Sequence, residues 1–271
     1  MATETLETIE ITREDGVDWL TLNRPGSLNA INGQMAKELR AYFWALQDET
    51  ETRIVVMRGA GTSFCAGLDL RAGGNPVDSE GREPVGRGYG FQGYLADVYV
   101  MMRRCPQPII SLVQGNACGG GFAFVLASDV RIAAETARMN AAFIRIGLSA
   151  CDMGTSYFLP RLVGTSLASE LMLTGRFLEA DRALARGLVS EVVPEDRLAE
   201  AVRPYLDEML ATTPQGLRMT KEGLNMAIDA TSLEAAMAIE NRNQLMCART
   251  KDFQEGLAAF MEKRPPVYED R

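Results

Sequence analysis

PIISLVQGNACGGGFAFVLASDV, residues 108–130, carries most of what the chain says about its fold. Pro108 to Gln114 is a short aliphatic run, the composition of a strand covered on both faces. A glycine cluster at 115–121 follows, then an apolar segment up to Ser128 that reads as a helix, then a second strand at Val130–Ala134. Strand, glycine turn, buried helix and strand in succession is an α/β pattern. Gly119, Gly120 and Gly121 at the helix start expose backbone N–H groups at the positive end of the helix dipole. No Gly-Lys-Ser/Thr follows, so this is not a nucleoside-triphosphate loop, and the spacing does not fit a dinucleotide fingerprint. Two readings stand side by side: a donor pair for a developing oxyanion, and tight helix–sheet packing.

The same grammar extends outward. Upstream, VDWLTL at 17–22 alternates as a strand and stops at the turn signal Asn23-Arg24-Pro25-Gly26. Apolar residues from Ile31 to about Thr50 recur at helical spacing, and RIVVMR at 53–58 is another buried strand. It leads into a second glycine loop, FCAGLD at 64–69, whose turn at 66–68 offers a further free N–H. Residues 73–93 contain seven glycines and no apolar face, which predicts a mobile lid or binding loop, followed by a helix at 94–104. Downstream, helical segments at about 197–212, 215–229, 232–248 and 252–262 dominate, broken by the strand-like LVSEVV at 188–193. The expected organisation is a core domain over 1–195 and a helical region over 196–271 whose apolar faces pack against another subunit.

Composition narrows the chemistry. The chain has 271 residues, 46% hydrophobic and 24% charged, with a net charge of −8. That balance fits a folded globular protein and argues against tracking nucleic acid or an anionic membrane. There is no histidine at all, which removes Ser-His-Asp and Cys-His nucleophiles and HExxH zinc sites. Proton transfer falls to Asp, Glu, Lys, Tyr, Cys or water. The five cysteines show no paired spacing, consistent with free thiols in a reducing compartment. The first residues form neither a signal core nor a presequence, and no apolar run reaches the roughly 18 residues of a membrane span. A cytoplasmic enzyme or binding protein is the expected class, with no metal.

The residues at 108–130 resemble the signature segment of the crotonase superfamily, which includes enoyl-CoA hydratases and isomerases. NRPGSLNAIN at 23–32 resembles its adenine-pocket loop and GTSFCAGLDL at 61–70 its first oxyanion loop. LPRLVGTSLASELMLTGR at 159–176, ARGLVSEVVP at 185–194 and FMEKRPP at 260–266 match later landmarks in order. The resemblance implies an α/β spiral of ββα units with a C-terminal helical trimerisation region, assembled as a homotrimer or dimer of trimers. It implies a small-molecule acyl-CoA substrate, with coenzyme A arriving as part of the thioester and no permanently bound cofactor. Carried over by position, the oxyanion amides are those of Leu68 and Gly120. The adenosine and pantetheine parts would run along Ser27, Leu28, Ala30, Ala66, Gly67, Asp69, Leu70 and Gly119. Phe260 and Lys263 resemble residues that reach a neighbouring subunit's ligand. An anionic ligand on an acidic chain needs a local cation, for which Lys263 and Arg24 are candidates.

The chain departs from the hydratase pattern at two places. The two glutamates that hydratases use correspond here to Ala123 and Phe143, neither of which transfers protons. Asp152, in GLSACDMGTSYFLPR at 147–161, is the acid that remains, and isomerase-like members carry an Asp at or next to this position. One carboxylate suffices to take a proton from C2 and return it at C4. Flanking Cys151, Met153 and Tyr157 are expected to make its surroundings apolar and raise its pKa. The plainer role for Asp152 is capping a helix that begins near Thr155. Cys118 has no base to activate it, Asp129 is expected to be structural, and Glu135 to be a solvated charge. Met101, Met102, Met153 and Met237 read as core. Three functions follow: an isomerase working through Asp152, a hydratase with a non-standard acid, and a silent acyl-CoA binder.

Overall fold

The computed structural model describes residues 2–71 and 84–270. Its strands are β1 (Ala2–Thr5), β2 (Ile9–Glu14), β3 (Val17–Leu22), β4 (Ile54–Gly59), β5 (Ile109–Val113), β6 (Asn116–Cys118), β7 (Val130–Ala134), β8 (Arg138–Asn140), β9 (Leu178–Glu179) and β10 (Glu191–Val193). Seven form one sheet in the order β1-β2-β3-β4-β5-β7-β10, parallel from β3 to β10. The other three, β6, β8 and β9, form a small second sheet. Asp15 and Gly16, both at positive φ, make the two-residue turn that joins β2 to β3, the Asp-Gly geometry that suits a tight hairpin.

Eleven α-helices occur among the described residues. The first six are α1 (Gly33–Ala45), α2 (Pro84–Arg104), α3 (Gly120–Ala127), α4 (Thr155–Val163), α5 (Thr165–Thr174) and α6 (Ala180–Ala185). They are followed by α7 (Leu198–Ala201), α8 (Arg203–Leu210), α9 (Pro214–Ala227), α10 (Leu233–Cys247) and α11 (Lys251–Glu262). The central runs β3, β4 and β5 are mostly apolar because both faces of that part of the sheet are covered. Leu20, Leu22, Val55, Met57 and Ile109 face a core shared with α1, α2 and α3. Their neighbours Trp19, Ile54, Val56, Ile110 and Leu112 face Leu198 of α7, Leu206 of α8 and Val202 between the two helices. Helix α3 is buried all round, so it shows no amphipathic period.

Two expectations need correction here. Residues 84–93 are the first half of α2, not part of a loop; 73–83 lie outside the described residues. Glycine costs a helix about 1 kcal/mol relative to alanine, but packing of the second half overrides that. Leu95, Val98, Tyr99 and Met102 are buried there, with Phe91 and Tyr94 partly buried against the same core. Of the methionines expected in the core, Met101, Met102 and Met153 are buried there, Met153 also lining a cavity, whereas Met237 is exposed.

Asp129 ties α9 to this body. One of its oxygens lies 2.9 Å from Lys221 Nζ of α9 and accepts from Ile109 N at 2.8 Å; the other lies 3.0 Å from Arg103. Lys221 is 4% exposed and also donates to the carbonyls of Met102 and Gln107. Thr213, Ser232 and Thr250 cap α9, α10 and α11, each accepting a first-turn amide.

Candidate active site

Three loops are woven together by backbone hydrogen bonds. Phe64 and Cys65 donate to the carbonyls of Gln114 and Asn116, and Cys118 donates back to Cys65. On the other side Ala66 donates to Leu28, Ile31 to Gly67 and Asp69 to Ile31. The fit demands glycine at two points. Gly67 sits at φ +92, where a Cβ would stand 2.7 Å from Cys118 O; at Gly121 a Cβ would stand 2.2 Å from Cys65 O. The Ile31–Leu68 parallel bridge uses the amides of Ile31 and Asp69. That alternation leaves the Leu68 N–H without an acceptor among the described residues. The Gly120 N–H, first in α3, also has none among them.

These loops converge on a cavity of about 140 Å³ lined by Ala66, Gly67, Leu68, Leu70, Gly119, Gly120 and Asp152. Its other walls are Ile31, Leu95, Ala142, Phe143, Ile146, Leu148 and Met153, with Gln92 beside Asp152. A wider cleft of about 530 Å³ lies between Glu191 and Asp207. It is open, and its Arg197 and Glu200 are paired with each other. The smaller cavity is the one on which the two acceptor-free amides and a carboxylate meet.

Asp152 is half-buried. Its Oδ1 accepts from Gln92 Nε2 and, at 2.8 Å, from Met153 N. Burial raises its pKa, partly offset by the Met153 amide and the Gln92 side chain. It does not cap α4, whose N-cap is Gly154. The burial comes from the cavity walls and not from all the expected flanks. Cys151 is exposed, and Tyr157 turns its hydroxyl to Asp229 Oδ2. Of the two hydratase positions, Ala123 is fully buried in α3 and Phe143 lines the cavity. Among the described residues, Asp152 is the one carboxylate in the lining.

The remaining expected residues are spread out. Ser27 and Leu28 are exposed on the 25–28 turn, and Ala30 is nearly buried beside it. Arg24 is neither a solvated charge nor a free cation: it donates to Ala30 O and pairs with Asp69 at 3.0 Å. Phe260 and Lys263, at the end of α11, are exposed and do not line the cavity. Burial pushes Cys65 up to about 12 and Cys118 up to about 11, so neither thiol is a ready nucleophile. No group of three or more metal-ligating side chains occurs among the described residues, and no helix there is long and apolar enough to cross a membrane.

Three contributors escape a reading of the sequence. Asn29 is fully buried; its amide donates to the carbonyls of Ala60 and Ser63, and its Oδ1 accepts from Arg24 N. It therefore ties the 24–31 loop to the 60–64 loop. Tyr99 of α2 is 2% exposed and donates to Gly120 O at 3.0 Å. Burial drives its pKa well up, so it stays a neutral donor. Gln92 is the third. The signal was available in the spacing 92, 95, 99, one face of a helix, but the glycines at 86–93 concealed it.

Residues 12–271 match the family model described as enoyl-CoA hydratase/isomerase. A protein of Mycobacterium tuberculosis named as a probable enoyl-CoA hydratase is 38% identical over 252 residues, covering 93% of this chain and 88% of its own. The 1,2-epoxyphenylacetyl-CoA isomerase of Escherichia coli is 34% identical, covering 94% of this chain and 95% of its own. The crystal structure of a probable enoyl-CoA hydratase/isomerase from Mycobacterium abscessus superposes with a TM-score of 0.90 at 34% identity, over 98% of this chain and 100% of that one.

Proposed function

We propose, from the premise that the chain belongs to the enoyl-CoA hydratase/isomerase family of the crotonase superfamily, that it moves the double bond of an enoyl-CoA thioester. The observation that carries this reading is the pairing of one carboxylate, Asp152, with two unbonded amides on the same small cavity. The thioester oxygen is taken up between the amides of Leu68 and Gly120. Asp152 removes a proton from C2 of a 3-enoyl thioester, and the C–H electron pair becomes the C1–C2 double bond of a dienolate. The negative charge rests on the thioester oxygen, facing the two amides and the positive end of α3. The proton then returns from Asp152 to C4, leaving the double bond between C2 and C3. A carboxylate with a raised pKa suits both halves, since it must accept the proton and hold it briefly.

A hydratase is the second reading, favoured by the names of several relatives. It requires an acid or base from elsewhere, since Ala123 and Phe143 stand where hydratases carry theirs. The two separate in heavy water. Incubation with 3-hexenoyl-CoA and 2-hexenoyl-CoA, followed by mass spectrometry, is expected to show deuterium at C2 or C4 together with a shifted double bond. Asp152→Asn is expected to bind the thioester and to lose about 10²-fold or more in turnover. Gain of one water would support the hydratase, and full turnover by the variant would remove Asp152 from the mechanism.

We propose further that the chain assembles as a homotrimer or dimer of trimers through its C-terminal helices. Large apolar side chains stand exposed along them, among them Leu224, Leu245, Phe260 at 80% and Met261 at 75%. Such a surface suits a protein partner better than water. Phe260 and Lys263 would then lie beside a neighbour's coenzyme A, and Ser27, Leu28, Ala30, Asp69 and Leu70 would line its path in the same subunit.

A further inference from the structure

We propose that Gln92 is the positioning residue for Asp152, its side-chain amide tying down one carboxylate oxygen so that the other is presented to the cavity. The inference rests on Asp152 being the proton carrier. Gln92 lies two turns before Tyr99 on the same face of α2, with Leu95 between them in the cavity wall. Its Nε2 meets Asp152 Oδ1, and the same oxygen takes the Met153 amide. Two donors converging on Oδ1 fix the carboxyl plane. Oδ2 has no partner among the described residues and is the oxygen left to receive a proton. Met153 holds its amide in place through a left-handed backbone at φ +48. A carboxylate held on one side by a single backbone amide retains freedom about its last torsion; a second donor from another element removes it. Reactions of this kind respond steeply to misplacement of about 1 Å.

The chemistry of the residue suits the task. An amide is neutral at every relevant pH, so it restrains the carboxylate without placing a second charge beside the forming dienolate. It donates more strongly to the ionised carboxylate than to the neutral acid, and so favours the base. The other groups around the site do not compete. On α2, Tyr99 is a buried neutral phenol bonded to Gly120 O, and Asp97 pairs with Arg40. On the 66–70 loop Asp69 pairs with Arg24. On the 142–151 segment Arg145 packs against Gly175, and Cys151 is exposed. On α4, Tyr157 and Arg161 engage Asp229. One helix thus carries a restraint on each half of the machinery: Gln92 on the base and Tyr99 on the residue whose amide faces the oxyanion.

The test reads Asp152 directly. The full chain is labelled with ¹³C in its aspartate carboxyls, and the Asp152 resonance is assigned by its loss in Asp152→Asn. In Gln92→Leu that resonance is expected to titrate about one pH unit higher, the size of effect a lost charge-assisted hydrogen bond gives. Gln92→Glu is expected to move it further up, in two coupled steps, because two carboxyls then share the site. Deuterium wash-in to 3-hexenoyl-CoA by Gln92→Leu is expected to fall about tenfold in kcat, with its acid limb moved up in step and KM within about twofold. A merely structural defect would lower activity without moving that limb. An unmoved titration in both variants overturns the role of Gln92 and leaves Asp152 intact. Full wash-in by Asp152→Asn overturns the proton-carrier reading, whatever the titrations show.

Discussion

Replacing Gly120 with proline deletes one amide hydrogen at the centre of the proposed oxyanion pair. Gly120 is the first residue of α3, where proline is tolerated because that N–H has no helical acceptor. The preceding residue, Gly119, lacks the Cβ that normally clashes with a following proline ring. The steric load is also bounded. A Cβ at position 120 would stand 2.9 Å from Ile31 Cδ1 and 2.9 Å from Tyr99 Oη, both ends of side chains and not backbone. Gly120→Ala imposes that same Cβ while keeping the N–H, so the difference between the two variants reports the lost hydrogen together with the ring carbon that takes its place. Loss of one preorganised donor is expected to cost about 2.7–4 kcal/mol in the transition state, or roughly 10²–10³ in kcat. The alanine variant is expected to fall by no more than about tenfold, since small side-chain shifts of this kind cost roughly 1 kcal/mol. The assay is the rate of deuterium entry at C2 of 3-hexenoyl-CoA, with thermal unfolding run alongside to confirm that both variants are folded. If the folded proline variant exchanges as fast as the alanine variant, the Gly120 amide does not stabilise the charge and the oxyanion assignment fails.

Two further outcomes concern stability. Burial raises the pKa of Asp152, so its neutral form is the one the fold prefers; that contribution is present below its usual value of 3.8 and is lost as pH rises through the folded value. Asp152→Asn is therefore expected to melt at or above the parent at pH 7 and to converge with it near pH 3, as calorimetry would show; a lower melting temperature at pH 7 contradicts burial as the dominant influence. Asp129→Asn leaves the buried Lys221 ammonium without its counter-charge, and is expected to cost about 3–5 kcal/mol. In a chain of this size that lowers the melting temperature by roughly 10 °C, and a shift below about 2 °C would mean that α9 is held by other contacts.

Much of the fold was legible because burial on both faces of the sheet leaves an unambiguous mark. VDWLTL and Val130–Ala134 are strands over those very residues, and RIVVMR is displaced from β4 by a single position. The glycine loops at 64–69 and 115–121 were legible because close backbone approach admits no other residue, and the structure shows what a Cβ would strike. Asp152 was legible through the family resemblance, as the acid of the 147–161 loop that is left where the two hydratase glutamate positions are Ala123 and Phe143. The start of the sheet was less so: β1 and β2 form an edge that is only half covered, and their clearest mark was the Asp15-Gly16 turn.

What stayed hidden has a common physical origin. The first half of α2 is rich in glycine and presents no apolar stripe, so local propensity argues for a loop. The helix persists because its second half is anchored in the core through Leu95, Val98, Tyr99 and Met102, and extending an existing helix is far cheaper than starting one. Tertiary packing thus decides the state of a segment whose own residues are nearly neutral. That is also how a residue with no distinguishing neighbours, Gln92, arrives within hydrogen-bond reach of an acid 60 positions away. Spacing within a segment marks the residues that share a face, but only the packing of α2 against the 147–154 loop determines which acid that face meets. The same holds for Asn29, whose amide gathers carbonyls from a loop more than thirty positions on. Residues that carry chemistry leave a mark by their type, whereas residues that position them are ordinary in type and are recognised by what they touch.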